Sequence, residues 1–517
     1  MKKIYITLVS LASIPVSVNA QVYSTATFSG NNIEAAVNNG GVFFNDEINQ
    51  SPAYEYPKGS GNHLVYANSF WFGAEDNFGN KKLAAQLYSM GDDLFPGGLK
   101  PLSANTSSGD FNNNEIYQVS KSEIDNHILN YSNSGYVVPT SIENWPAHGD
   151  YSAGYDFYSA PFVDVNYDGI YDPLDGDYPK IRGDYATYMI LNDKMNVHAS
   201  GGEPMGIECH FMFYQYETSD YLNNTVFLNL KVINRSTAPY AQFKVGTFLD
   251  PEIGNGADDA VGCDTNRRVM YAYNFNNNDD VYGANPPAIG VVNLNQSMDV
   301  FGRFNDDISA MTLPTTVADY QNFLDGKWKD GTPFTEGGNG YGGSQTTKYL
   351  FSGNPNNPIE WSEVEVGTAS NESRMFMVAD VGPLLFEEEI CLDYAFVVGD
   401  GGNHIENVNN LLAVANDAQN FFNAQEDFVC EYYEDALKVE TYGLISPSVY
   451  PNPSNGELTI DFKGEYRVEI HALDGRMVYQ QSNLQNAQKL NASIDAGSYI
   501  LSVIQNEQRY TTQIIVQ

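Results

Sequence analysis

Thr225-Val226-Phe227-Leu228-Asn229-Leu230-Lys231-Val232-Ile233-Asn234 is the stretch that decides the fold class. It is a run of apolar and β-branched residues closed by a polar turn, and it reads as a strand. Similar runs flank it at Tyr188 to Leu191, Ile207 to Glu217, Gln242 to Leu249 and Val269 to Asn274. Gly, Asn, Asp or Pro separates one from the next. Regular short strands of this kind predict a β-sandwich. Working outward, strands are also read at Gly41 to Phe44, Leu64 to Gly73, Lys82 to Ser89 and Glu389 to Val398. Two helices interrupt the pattern. Ser122 to Leu129 has Ser122 as its cap, with Ile124 and Ile128 on one face; Asn407 to Phe422 gathers Leu411, Leu412, Val414, Ala415 and Ala418 on one side.

The chain has 517 residues, enough for two to four domains. Aromatic residues make up 13%, with 36 Tyr, a mix that suits a β-rich, loop-rich exported protein and excludes a disordered one. The N-terminus reads as a secretory signal: Lys2 and Lys3, a mostly apolar run from Ile4 to Val16, then the small-residue site Val18-Asn19-Ala20. That run is too short for a transmembrane anchor, and no later stretch reaches eighteen apolar residues. A net charge of −39 argues against nucleic acid or anionic lipid as partner and favours bound cations. Acidity alone also serves solubility. The four cysteines, Cys209, Cys263, Cys391 and Cys430, form no CxxC pair, so zinc and thioredoxin chemistry have no support. Proximity pairs Cys209 with Cys263 and Cys391 with Cys430; buried free thiols are the alternative.

The main candidate site is Asp164-Val165-Asn166-Tyr167-Asp168-Gly169-Ile170-Tyr171-Asp172-Pro173-Leu174-Asp175. Side-chain oxygens fall at positions 1, 3, 5, 9 and 12, carried by Asp164, Asn166, Asp168, Asp172 and Asp175. Gly169 supplies the sharp turn at position 6, and the Ile170 carbonyl is the position-7 ligand. Hard oxygen donors at alternate residues suit a structural calcium ion rather than zinc or copper. Two features depart from a helical calcium loop: position 12 is Asp175 rather than Glu, and turns at Asp172-Pro173 and Gly176 to Pro179 replace flanking helices. The loop therefore resembles the calcium loops of dockerins and thrombospondin type 3 repeats. The alternative is a solvated Asp/Asn/Gly turn cluster.

Other chemistry is thinner. Gly338 to Gly343 matches GxGxxG, but no strand precedes it and no helix follows. Glu208 and His210 share a strand face and could bind a metal with His148 or His198. Without a third-ligand motif, His210 reads as a packed, hydrogen-bonded histidine. Asp250, Glu252, Asp258, Asp259 and Asp264 form a second acidic cluster, open to three readings: a second ion, paired carboxylates for glycoside hydrolysis, or a solvated turn. Trp71, Trp145, Trp328 and Trp361 could stack on sugars, although core packing is the commoner use of Trp. No catalytic residue can be named.

From Val449 to Gln517 short alternations return: Leu458, Ile460 and Phe462; Val468, Ile470 and Ala472; Tyr499, Leu501 and Val503. About seven strands in this length make a compact Ig-like β-sandwich. The tail resembles the type A C-terminal sorting domain of the type IX secretion system of Bacteroidota. Tyr450-Pro451-Asn452-Pro453 with Gly456, Asp474-Gly475-Arg476 with Val478, and Ala496-Gly497-Ser498-Tyr499 carry the resemblance. It implies a partner, the type IX secretion machinery, and export through periplasm and outer membrane to the cell surface or the medium. The body, 31–290, resembles a group of exported Bacteroidota proteins through Pro57 to Gly61, Trp145 to Asp150, Ala160 to Pro179, Ile233 to Ser236 and Asp258 to Asp264. That likeness brings no activity with it.

The expected organisation is a signal peptide (1–20), an N-terminal β-rich region ending in the acidic loop (21–184), a β-sandwich-like region (185–442), a linker (443–448) and the sorting domain (449–517). The mainly β chain is expected to be an exported, calcium-stabilised binding or adhesion protein, with a glycan or other surface ligand. The alternative is a secreted polysaccharide hydrolase.

Overall fold

A computed structural model describes residues 23–88, 91–101, 115–305, 308–367, 372–425, 428, 430, 448–472, 476–505 and 508–517. The signal sequence, the linker over 443–447 and the Asp474-Gly475 turn lie outside the described residues. The chain divides into two compact units, 1–433 and 434–517.

The first unit is built on two nine-stranded antiparallel sheets. Its strands are β1 Thr25–Phe28, β2 Glu34–Asn38, β3 Val42–Phe43, β4 Tyr54–Glu55, β5 His63–Asp76, β6 Lys81–Ala85, β7 Phe95–Pro96, β8 Tyr117–Ser120 and β9 Tyr185–Asn192. They continue with β10 Ile207–Gln215, β11 Thr225–Asn234, β12 Tyr240–Pro251, β13 Asp259–Asp264, β14 Val269–Asn274, β15 Ala288–Asn293, β16 Val300–Phe304, β17 Arg374–Leu384 and β18 Glu389–Gly399. One sheet runs β1-β2-β3-β5-β12-β17-β16, with β4 against β2 and β5, and β6 against β5. The other runs β8-β9-β10-β11-β18-β15-β14-β13, with β7 against β9.

The sheets face each other through one aromatic-rich core. Phe70 packs on Phe211 at 5.6 Å between ring centres and on Tyr394 at 5.5 Å, and Phe44 meets Phe396 at 4.9 Å. Side chains alternate across a strand, so Trp71, between Phe70 and Phe72, points the other way. There it meets Phe248, Phe304, Phe376 and Tyr320. Tyr320 belongs to α2, Val317–Leu324, which lies in the chain between α1, Lys121–Asn130, and α3, Glu406–Asn423. The outer face of the second sheet carries Tyr188, Met212, Tyr214 and Phe227, covered by Trp145 and by Leu411 and Ala415 of α3. Because β10 and β11 are covered on both faces, every one of their residues is buried, and their sequences read as unbroken runs rather than alternations. Burying each large apolar side chain contributes about 1.5–3 kcal/mol.

The sandwich and the helix over 406–423 agree with the sequence. Four details differ. The division at 184/185 separates no compact units, because β1–β6 share a sheet with β12, β16 and β17, and β8 pairs with β9. The cap of α1 is Ser120, not Ser122: Ser120 Oγ accepts from Glu123 N and Glu123 returns a bond to Ser120 N, closing a capping box. The helix then buries Ile124 and His127 and leaves Ile128 41% exposed. Cys391 and Cys430 are joined, whereas Cys209 and Cys263 are buried free thiols. Their strands, β10 and β13, stand five places apart in one sheet, roughly 24 Å by the usual strand spacing, far beyond disulfide reach.

Among its described residues the second unit holds seven strands: β19 Ser448–Tyr450, β20 Glu457–Asp461, β21 Glu465–Ala472, β22 Met477–Gln485, β23 Gln488–Asn491, β24 Gly497–Gln505 and β25 Gln508–Val516. They form sheets ordered β19-β20-β23 and β22-β21-β24-β25. Leu458, Ile460, Val468, Ile470, Leu501 and Val503 fill the core between them, on the faces the alternation assigns.

Candidate functional site

The ends of the acidic loop are drawn together by a short antiparallel pair, Phe162–Val163 with Tyr178–Pro179. Between them the backbone winds around its own side chains. The Asp164 carboxylate accepts from Tyr167 N at 2.7 Å, Gly169 N at 2.7 Å and Asp168 N at 3.3 Å. Asn166 Oδ1 accepts from Asp168 N, and Asp168 Oδ1 from Ile170 N. The winding needs left-handed backbone at Tyr167 (φ 62°) and Gly169 (φ 80°). Only the second carries no cost, because glycine has no Cβ to clash.

Asn166 Nδ2 donates to Asp168 Oδ2 at 3.1 Å and to Asp175 Oδ2 at 3.5 Å. One amide thus stands between two carboxylates that would otherwise repel. Asp172 is used differently: its Oδ1 accepts from Leu174 N at 2.8 Å and caps the short helical turn 173–175. The donors of Asp164, Asn166, Asp168 and Asp175 are all hard oxygens on one exposed turn, the chemistry calcium takes. Among the described residues, no three His, Cys, Asp or Glu side chains form a ready-made metal centre. The residues fit calcium by donor type and by backbone winding. The full set of Asp164, Asn166, Asp168, Ile170, Asp172 and Asp175 is not drawn into one shell.

The residue that holds the loop is one that sequence spacing missed. Asp177 is fully buried and clamps both ends, accepting from Val165 N at 2.8 Å and Asp172 N at 2.9 Å. Burial raises its pKa, the two backbone donors oppose the rise, and Asp164 and Asp168 add to it. Its position in the Gly176-Asp177-Tyr178-Pro179 turn was the only available signal. His148 supports the far side: its Nε2 accepts from Tyr171 N at 2.7 Å, and Tyr171 OH donates to Ile142 O at 2.6 Å.

The second acidic cluster is not a solvated turn: Asp250 and Asp259 are buried, and Glu252 and Asp258 are half-buried. Asp250 accepts from Tyr88 OH at 2.5 Å and from Arg374 Nε at 3.3 Å. Burial pushes its carboxyl up to about 6 despite the arginine. Burial and the neighbouring Asp250 push Glu252 up to about 7. Asp259 is completely enclosed and raised well above the usual range by burial; one oxygen accepts from Ile253 N at 2.9 Å and the other has no hydrogen-bond partner among the described residues. Asp279 joins this group by accepting from Asn255 N at 3.0 Å. Asp264 leaves it: at the far end of β13 it pairs with Arg267. Tyr88 also lines a cavity of about 320 Å³ with Tyr23, Glu47, Tyr66, Gln86 and Asp92.

Glu208 and His210 do share a face, but as parts of a closed network. His210 Nε2 lies 2.8 Å from Glu208 Oε1, and Nδ1 lies 2.6 Å from Tyr188 OH. Arg235 Nη2 donates to Glu208 Oε1 at 3.0 Å, and Leu99 N to Oε2. Burial raises the Glu208 carboxyl, but Arg235 and His210 outweigh it and hold it well below the usual range. Both nitrogens of His198 lie against backbone carbonyls, of Leu83 and Asp193, so neither it nor His148 completes a metal set. Trp71, Trp145 and Trp328 are core residues whose indole N–H groups meet backbone carbonyls, and Trp361 packs on Phe351.

Residues 448–517 match the secretion system C-terminal sorting domain. The tail is a type IX secretion sorting domain of the Bacteroidota kind, and the chain is exported across the outer membrane, to the cell surface or released. No helix among the described residues is long and apolar enough to cross a membrane. No curated protein matches the chain. Among solved structures, one is PorZ, described as an essential bacterial surface component of the type IX secretion system of Porphyromonas gingivalis. It is 24% identical over 14% of this chain and 11% of its own length, with a TM-score of 0.13. Another is a polysaccharide lyase, 10% identical over 60% of this chain and 34% of its own, with a TM-score of 0.19. The chain spans well under two thirds of either protein, and overlaps with such low scores carry no argument about the body.

Proposed function

We propose that this exported protein acts outside the cell by binding or adhesion, and that calcium at the acidic loop stabilises its body. The carrying observation is the loop winding, in which Asp164 is wrapped by three backbone N–H groups while Asn166 sits between Asp168 and Asp175. Asp164, Asn166, Asp168, Asp175 and the Ile170 carbonyl would hold the ion, with Asp172 joining if its cap on Leu174 is released. A divalent cation there offsets repulsion that one amide only partly relieves. Its role is structural, holding the exposed carboxylates of one turn together.

The test is thermal unfolding of the full chain in millimolar calcium and in chelator. Calcium raises Tm, and Asp168→Ala removes most of the rise. An unchanged Tm and protease pattern on chelation would refute the metal assignment.

A second reading, a hydrolase acting on polysaccharide, is favoured by Asp250 and Glu252. Both carboxyls are raised, Asp250 is bonded to Tyr88, which lines the cavity, and a proton donor near neutral pH is what glycoside cleavage asks of one carboxyl. Screening the chain against a glycan array with matched hydrolysis assays separates the two. Retention without product supports binding; turnover lost in Glu252→Gln supports the enzyme.

A further inference from the structure

The chain is strongly acidic, with 65 Asp and Glu against 26 Lys and Arg, yet four lysines converge on one corner of the first sheet. Their hub is Asp325, the residue that ends α2. Lys244, on β12, reaches its carboxylate at 2.7 Å; Lys81, on β6, at 3.4 Å; Lys327, two residues along the chain, at 3.9 Å. Lys348, from a loop 23 residues further on, donates to the Asp325 backbone carbonyl. Glu75 is the other carboxylate lining the shallow notch between these elements, beside Lys81, Lys244, Gln242 and Gln321. Lys82 lines the notch as well, donating to Pro204 O, and Asp380 stands opposite Lys244 across β12 and β17, so five lysines meet three carboxylates.

A lysine or two at a helix C-terminus is ordinary, since the helix dipole and its last carbonyls attract a cation. Four are more than that end can use. They come from four separate places in the chain, so no local requirement gathers them. Lys348 shows the cost: burial lowers its pKa, Asp325 opposes that, and Lys244 and Lys327 lower it further. Meanwhile the side chains of Lys81 and Lys327 remain 43% exposed, with donors left over for something outside the protein.

We propose that this corner binds an anionic polysaccharide, one carrying carboxylate or sulfate groups, with the exposed arms of Lys81, Lys327 and Lys348 gripping successive charges. A flexible single chain suits a narrow patch flanked by amide side chains. A DNA duplex or an anionic membrane presents a broad charged surface that would also meet the acidic remainder of the protein. At physiological salt that remainder is screened beyond about 8 Å, so the patch acts locally. The proposal rests on the binding reading above and gives it a ligand class.

The experiment titrates the full chain with polygalacturonate and heparin as the anionic probes, dextran as the neutral one and duplex DNA as the competitor class, at about 0.15 M salt. At least one anionic polysaccharide binds, more weakly as salt rises. Lys81→Gln combined with Lys327→Gln, both exposed changes, lowers its affinity about tenfold or more with Tm unchanged. Asp325→Asn, removing the internal competitor, raises it. The site is refuted if neither polyanion binds, if the double variant binds as tightly as the parent, if DNA binds as well as the glycans, or if folded Asp325→Asn gains nothing. Dextran binding that survives the double variant would leave the binding reading standing without this site. Cleavage of a polyanion that the double variant no longer retains would keep the site and remove the binding reading.

Discussion

The two acidic corners are built from the same residue types and treat their charge in opposite ways. At Asp164–Asp175 the carboxylates lie close together on an exposed turn and are met by backbone N–H groups. At Asp250–Asp259 they are carried into the interior, where losing water raises their pKa more than Tyr88, Arg374 or a backbone donor can lower it. How far an acidic cluster is pushed toward its protonated form is thus set by burial, not by composition.

Four changes break or sharpen this contrast. The largest effect is expected from Arg374→Ala, which leaves Asp250 buried without its cation and costs about 3–5 kcal/mol in denaturant unfolding. A loss under about 1 kcal/mol would mean that Asp250 is already neutral and the pair immaterial. Asp177→Ala, in chelator, strands two backbone donors and costs about 1–3 kcal/mol, with protease cleavage inside 164–175 as the second readout. Cleavage no faster than in the parent would remove Asp177 from its role as clamp.

The pH response comes next. Glu252 titrates near 7 when folded and near 4.5 when unfolded, so between those values the folded state holds a proton that the unfolded state has released. Stability from this group is present at low pH and lost as pH rises through about 7. Glu252→Gln should flatten the fall in Tm over that window, and an unaltered profile would place the effect elsewhere. The smallest change belongs to the exposed corner: in chelator, Asp168→Ala should alter stability by no more than about 0.5 kcal/mol, since it removes only two exposed hydrogen bonds, from Ile170 N and Asn166 Nδ2. A large loss without calcium would show that the loop is held by its own hydrogen bonds.

Much of the frame was legible. The runs at 207–217, 225–234 and 269–274 became β10, β11 and β14 almost to the residue, and the tail's alternations became its core. The strands at 288–293, 300–304 and 374–384 were missed, although they complete both sheets. They are short or interrupted, and their pairing partners lie far away in the chain. The acidic loop could be seen because its donors are spaced within twelve residues. Asp177 lay two residues beyond that template, and the lysine corner has no local signature at all.

The sequence alone determined that this is a β-rich exported chain with a type IX sorting tail, because strand period, composition and the tail's motifs are local properties. Tertiary structure decided that the expected N-terminal and middle regions are one interleaved sandwich, that Cys391 pairs while Cys209 and Cys263 stay free, and that one acidic cluster is buried and the other wet. These outcomes depend on which distant strands become neighbours and on how much water each side chain loses, and neither quantity is written in the order of residues.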